Sequence, residues 1–244
     1  MPRYKLTIEY DGTDFSGWQI QPEDRTVEAT LEQAFSKVLQ QDIDLIGQGR
    51  TDAGVHAAGQ TAHVDLPQYT NLEKLLLGVN GLVGKEIQII DCEIVASDFH
   101  ARFDAISREY EYTLSKRLIP LNRHFSWALR KEVDIDKLHT CAELLKGKHD
   151  FAGFSKFNED NYTTLCEIHR SEFEIESEVI KYHISANRFL RNMVRRLVGS
   201  MVRVAQGKME FDIFKKALTE PEVTIPTFTA PAKGLVLKKV FYKN

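Results

Sequence analysis

Apolar and polar residues alternate at the start of the chain. Residues 4–10, YKLTIEY, carry β-formers at every second position and predict a strand, which Asp11-Gly12-Thr13 ends as a turn. The period then lengthens. Val27, Leu31, Ala34, Phe35 and Val38 fall on one face of a helix over 27–39, with Thr26 as its N-cap. A strand at 43–46, a glycine-rich loop at 47–60 and a strand at 60–66 follow, the last closed by Pro67. A short helix over 72–79 ends at Asn80-Gly81, and 86–95 reads as a strand. The first half therefore runs β, α, β, β, α, β, the order of a split βαβ unit.

The second half repeats the mixture without a residue-level repeat. In the strand at 108–114, Arg108, Tyr110 and Tyr112 share one face, and Glu109, Glu111 and Thr113 share the other. Asp134 or Asp136 caps a helix through Leu138, Cys141, Leu144 and Leu145, which Gly147 stops. An irregular aromatic loop covers 151–158, and strands at 166–175 and 179–186 form a hairpin turning near Ser177-Glu178. Asn187 is the expected cap of the next helix. On its wheel Phe189, Leu190, Met193, Leu197, Met201 and Val204 gather on one face, and Arg188, Arg191 and Arg195 stack on the other. Gly199, one turn beyond Arg195, is expected to leave space above it. A shorter helix covers 210–218, and a Pro/Gly bend at 230–234 leads into a last strand. The pattern predicts an α+β architecture of two halves, 1–105 and 106–244, sharing one long sheet with helices against it.

Charge changes this picture locally. The net charge is −3 over 244 residues, which argues against a general DNA-coating protein. Yet residues 181–208 hold no Asp or Glu, while Lys181, Arg188, Arg191, Arg195, Arg196, Arg203 and Lys208 occur there. One positive face on a near-neutral chain fits a selective anionic ligand. Cys92, Cys141 and Cys166 are odd in number and match no disulfide or zinc spacing, which predicts a reduced intracellular protein. Neither a signal-peptide core nor an apolar run of membrane-spanning length is present.

The loop at 47–60, GQGRTDAGVHAAGQ, surrounds one carboxylate, Asp52, with four glycines. It reads either as a polar turn, with Asp52 bonding its own backbone, or as a site whose glycines admit a ligand. Trp18, in FSGWQ, reads either as a core-edge plug or as a ring that stacks on a base. No P-loop, Rossmann fingerprint or nucleophile elbow occurs, and Asp52, His56, His63 and Asp65 match no standard metal-ligand spacing. A single acid with arginines and tyrosines suits nucleophilic or general-base work on an uncharged group of a polyanion. A non-catalytic RNA-binding protein and a metal hydrolase are the rival classes.

GRTDAGVHAAGQ (49–60) resembles the signature of pseudouridine synthases, specifically the tRNA pseudouridine synthase I (TruA-type) family. IEYDGTDFSGWQ (8–19), DFHARFDA (98–105), SREYEY (107–112), NRFLRNMVRRLVGS (187–200) and APAKGLVL (230–237) follow in family order, so the resemblance spans nearly the whole chain. It implies the pseudouridine synthase fold, a mixed, mostly antiparallel central sheet flanked by helices and built from two ferredoxin-like halves. It implies a cytoplasmic homodimer that isomerises uridines 38–40 of the tRNA anticodon stem-loop without metal or organic cofactor. It makes Asp52 the essential aspartate, acting as nucleophile or base. Tyr110 becomes the active-site tyrosine, Arg195 the cation paired with the aspartate, and Arg50 a phosphate contact or a stand-in for the extruded base. Arg102, Arg188, Arg191 and Trp18 become further candidates for RNA contact. Arg188 stands where the family often has a small residue, and Val83 replaces a common proline. The loop glycines are then expected to keep room above Asp52, with His56 supporting the loop.

Overall fold

The computed structural model describes residues 1–68, 71–156, 162–220, 226 and 228–243. Its elements begin with β1 (Arg3–Tyr10), α1 (Val27–Leu39), β2 (Leu45–Gly47), β3 (His56–Asp65), α2 (Leu72–Leu82) and β4 (Ile87–Val95). Next come β5 (Ala105–Ser115), β6 (Trp127–Ala128), α3 (Ile135–Leu144), β7 (Gly147–Asp150), β8 (Leu165–Ile175) and β9 (Val179–Ala186). The chain closes with α4 (Met193–Ala205), α5 (Phe211–Thr219) and β10 (Leu235–Tyr242). They form two compact units, residues 1–106 with 236–244, and residues 107–235.

In the first unit β1 lies between β4 and β3, antiparallel to both. The other edge of β3 is shared: β2 pairs antiparallel with Ala62, His63 and Val64, and β10 pairs parallel with His56 and Ala57. The order β4–β1–β3–β2 is the sheet of a split βαβ unit, as the pattern predicted. Tyr4, Leu6, Ile8 and Tyr10 of β1 and Val27, Leu31, Ala34 and Phe35 of α1 are buried, the two periods read from the sequence. Thr26 caps α1 by accepting the Ala29 N–H at 3.4 Å. Between the pairs Ile8/Gln60 and Tyr10/Ala57 the ladder shifts, so Ala58 and Gly59 together oppose Glu9. Such bulges re-aim a strand, and this one falls at the C-terminal end of the glycine-rich stretch.

The second unit pairs β5–β9–β8–β7 antiparallel, with β6 parallel to β5. Helix α3 packs on β8 and α4, and α5 packs on α4 and β7. Asp134 is the α3 cap, accepting the Lys137 N–H at 3.1 Å. Ten of the thirteen residues of α4 are buried, so it is a core helix despite its arginines.

Two helix ends differ from the pattern because a side chain serves a distant partner. Helix α2 runs through Asn80 and Gly81 to Leu82. Asn80 is taken by β4: its Nδ2 donates to the Ile89 carbonyl at 3.0 Å and its Oδ1 accepts the Ile89 N–H at 2.9 Å. Helix α4 starts at Met193, not after Asn187. The Asn187 side chain accepts the Glu167 N–H at 2.9 Å, so it is spent on β8, and Asn192 precedes the helix at φ +60°. Arg188 and Arg191 therefore lie in the connector before α4 and make no helical stack with Arg195. Strand β3 begins at His56, which places His56 in the sheet. In the aromatic loop Phe151 and Phe154 are buried around a short 3-10 turn, whereas Phe157 and Asn158 lie outside the described residues.

Candidate active site

The Asp52 loop is fixed by its backbone. The Gln48 N–H donates to the Thr61 carbonyl at 2.8 Å, and Gln60 Nε2 donates to the Gly49 carbonyl at 3.1 Å. The Trp18 N–H reaches the Thr51 carbonyl at 3.1 Å, and the Gly54 N–H reaches the Phe15 carbonyl at 3.3 Å. Asp52 to Val55 form a turn in which the Val55 N–H donates to the Asp52 carbonyl at 3.1 Å. Gly54, its third residue, has φ +75°, as a type II turn requires. The loop is a turn in its backbone, and the Asp52 side chain on it is half-buried.

The segment after β1 packs directly on this loop. A Cβ on Gly12 would lie 2.0 Å from the Val55 carbonyl oxygen, and one on Gly17, at φ +101°, 2.6 Å from that of Thr51. The Tyr10 hydroxyl and Thr51 Oγ1 share a buried hydrogen bond of 2.8 Å. His56, itself buried, accepts the Gly12 N–H on Nδ1 at 3.0 Å, which is loop support as expected. Composition had singled out only the glycines inside the loop, yet Gly12 and Gly17 clamp it from outside. The inner four divide differently from the expectation. Gly49 stands in open space and Gly54 makes the turn, but Gly47 packs under the Trp18 indole and Gly59 against the Lys238 carbonyl.

Trp18 is corrected by the same packing. It is 1% exposed, and its Nε1 donates to Glu28 Oε1 at 3.1 Å, so no ring face is offered to a base. The second Glu28 oxygen accepts the Ile20 N–H at 3.0 Å. Burial pushes the Glu28 carboxyl up, against these bonds and the nearby positive charge of Arg50. Arg50 is exposed beside Asp52 in the chain, within electrostatic reach of Glu28.

The second unit supplies the other candidates. Tyr110 on β5 is half-buried and meets the Phe189 ring edge-on, with centroids 5.2 Å apart and planes at 89°. Arg195, in the first turn of α4, donates from Nε to the Ala230 carbonyl at 2.8 Å. Arg196, which the sequence pattern left unassigned, donates to the Ser155 carbonyl. Arg188 is half-buried, and its charge acts on the buried Cys166 thiol, which desolvation holds up at about 11. Arg191 is exposed, and its carbonyl accepts the Lys156 N–H at 3.0 Å. Arg102, in the first unit, is exposed with its guanidinium 5.8 Å from the Phe103 ring centre.

His63 belongs to the support rather than the chemistry. It is buried on β3 and accepts the Ala101 N–H on Nδ1 at 3.2 Å. Desolvation, then the charges of Arg3 and His100, lower its pKa from 6.5 to about 4. As pH falls below 6.5 the unfolded chain takes up a proton at this position, while the folded chain does so only near 4. The stability His63 contributes is thus complete above pH 6.5 and lost towards pH 4. The urea midpoint should fall between pH 7 and pH 5, reflecting a loss of unfolding free energy on the order of 1 kcal/mol from this group. His63→Asn, whose Oδ1 can still accept the Ala101 N–H, should flatten that dependence; an unchanged slope would remove His63 as its source.

A family model described as tRNA pseudouridine synthase matches residues 6–104 and 141–243. A tRNA pseudouridine synthase A of Xanthobacter autotrophicus is 38% identical over 245 residues, 99% of this chain and 100% of that protein. The proteins of that name from Bacillus pumilus and Bacteroides fragilis are each 36% identical, over 99% and 98% of this chain and 100% and 96% of their own. No helix among the described residues is long and apolar enough to cross a membrane. Agreement running from β1 to β10, and through the Asp52 loop itself, makes this chain a member of the tRNA pseudouridine synthase family.

Proposed function

We propose that the protein isomerises uridines 38–40 in the anticodon arm of tRNA to pseudouridine, with Asp52 as its catalytic carboxylate. The observation that carries the reading is similarity to a tRNA pseudouridine synthase A over 99% of the chain, combined with a carboxylate on a loop whose backbone is bonded to Phe15, Trp18 and Thr61. In the reaction the bond from the ribose C1′ to N1 breaks, the base turns, and a C1′–C5 bond forms. The hydrogen on C5 leaves as a proton and N1 gains one. No atom is lost and no oxidation level changes, so the chemistry asks for a nucleophile or base, not for a redox cofactor.

A stacked uridine must leave its neighbours before a carboxylate reaches it, at a cost of roughly a few kcal/mol. Phosphate contacts by Arg50, Arg102, Arg188 and Arg191 offset that cost in this reading. In this reading Arg195 is the cation that pairs with the Asp52 carboxylate during the reaction. The ring of Tyr110 packs on the target base, and its hydroxyl assists departure of the C5 proton. The protein acts as a cytoplasmic homodimer, which sedimentation equilibrium checks.

The test uses unmodified tRNA carrying tritium at C5 of uridine. Release of tritium, with pseudouridine mapped to positions 38–40, is expected; RNA binding without release would make the protein a non-catalytic binder. Tyr110→Phe keeps the ring edge against Phe189 and removes only the hydroxyl. Tritium release should slow about a hundredfold, the usual scale of one positioned acid–base group, with tRNA affinity kept. A wild-type rate would reduce Tyr110 to a stacking role.

A further inference from the structure

Tyr112 lies two residues beyond Tyr110 and has no part in the chemistry above. It is fully buried, yet its hydroxyl is not idle: it donates to the Pro231 carbonyl at 2.7 Å. Burial raises the phenol well above its ordinary value, so it remains a donor, with the Arg195 charge near enough to oppose that shift. Its ring is gripped from two sides. Trp127 meets it edge-on at 6.4 Å, and a Cβ on Gly234 would come within 2.6 Å of it.

Pro231 belongs to a short strap, residues 228–231, that crosses the first turns of α4. The Ala230 N–H donates to the Arg195 carbonyl at 3.0 Å, and Arg195 Nε donates back to the Ala230 carbonyl at 2.8 Å. One turn on, the Phe228 carbonyl sits where a Cβ on Gly199 would be, 1.9 Å from that position. The carbonyl gripped by Arg195 and the carbonyl gripped by Tyr112 are consecutive. Only Pro231 separates them, at φ −53°, a torsion its ring fixes. With φ fixed and the peptide bond planar, only ψ of Pro231 turns one carbonyl against the other, so anchoring the Pro231 carbonyl restricts the Ala230 carbonyl.

We infer that Tyr112 is a positioning residue for Arg195, acting through the Pro231 and Ala230 carbonyls. A guanidinium is planar, and its Nε bond sets the plane in which both Nη groups present their hydrogens. Holding the Ala230 carbonyl still therefore aims those groups. The inference rests on the proposed role of Arg195 as the cation paired with the catalytic carboxylate.

Single-turnover pseudouridine formation, with enzyme saturating over tRNA, reads this directly. Tyr112→Phe keeps the ring and frees the Pro231 carbonyl. The rate should fall about tenfold or more at a temperature where the variant is fully folded, with tRNA affinity within about twofold. Pro231→Ala keeps both carbonyls but releases φ; it should slow turnover in the same direction and serves if Tyr112→Phe does not fold. Arg195→Lys removes the Nε bond. Adding Tyr112→Phe to it should cost nothing further if Tyr112 works only through Arg195. A folded Tyr112→Phe at wild-type rate, or losses that multiply in the double variant, would overturn the inference. Arg195→Lys at wild-type rate would instead overturn the role of Arg195, so the two failures are distinguishable.

Discussion

Asparagine in place of Asp52 should lower pseudouridine formation by at least about a thousandfold, the scale seen when a reacting carboxylate or nucleophile is removed. The fold should not notice. The bonds that hold the loop run through the backbone at Gln48, Gly49, Thr51 and Gly54, and through the Asp52 carbonyl to the Val55 N–H. Asparagine has the same shape and leaves all of them in place. The variant should therefore fold, with its free energy of unfolding lowered by no more than about 1 kcal/mol through loss of the proposed pairing with Arg195. Affinity for tRNA should hold or tighten slightly, because a negative charge has been removed from the site of an anionic ligand. Loss of product with binding retained separates chemistry from recognition. A wild-type rate would remove Asp52 from the mechanism, and a parallel loss of rate and stability would make it a structural residue.

How much of this was legible in the sequence depended on how far each residue's partner lies along the chain. Helix α1 was readable from Thr26 to Leu39 because its period and its cap are both local. The start of α4 was not, because the residue that resembled its cap, Asn187, is bonded to Glu167 on β8. Helix α2 ran past its expected end for the same reason, since Asn80 serves Ile89. Asp52 stood out because its motif is contiguous. What clamps it did not, since Gly12 and Gly17 meet the loop about forty residues away in sequence, through backbone contacts that no residue type announces. Tyr112 and Pro231 are 119 residues apart, and alternation could say only that Tyr112 shared a face with Tyr110. Trp18 left two readings open, a core-edge plug and a ring for bases, and burial against Glu28 and Gly47 makes it the plug.

Gly199→Ala puts the packing account to its hardest test, because local propensity predicts the wrong sign. Alanine in a helix interior is favoured over glycine by about 1 kcal/mol, so a helix with free space at this position would gain stability. That space does not exist. A Cβ there would stand 1.9 Å from the Phe228 carbonyl oxygen, 2.8 Å from its carbon and 3.0 Å from the Ala230 nitrogen. All three are backbone atoms, so no side-chain rotamer relieves the clash; α4 or the strap must move. Overpacking of this kind costs about 1–3 kcal/mol and more where backbone is struck, which outweighs the propensity gain. The free energy of unfolding should fall by a net amount of about 2 kcal/mol, seen as a lower urea midpoint at unchanged slope. The rate should fall as well, because the displaced strap carries the Ala230 carbonyl that holds Arg195 Nε at 2.8 Å. A stabilised variant would show that the strap does not lie on α4 as described. A destabilised variant with full activity would show that Arg195 does not depend on it.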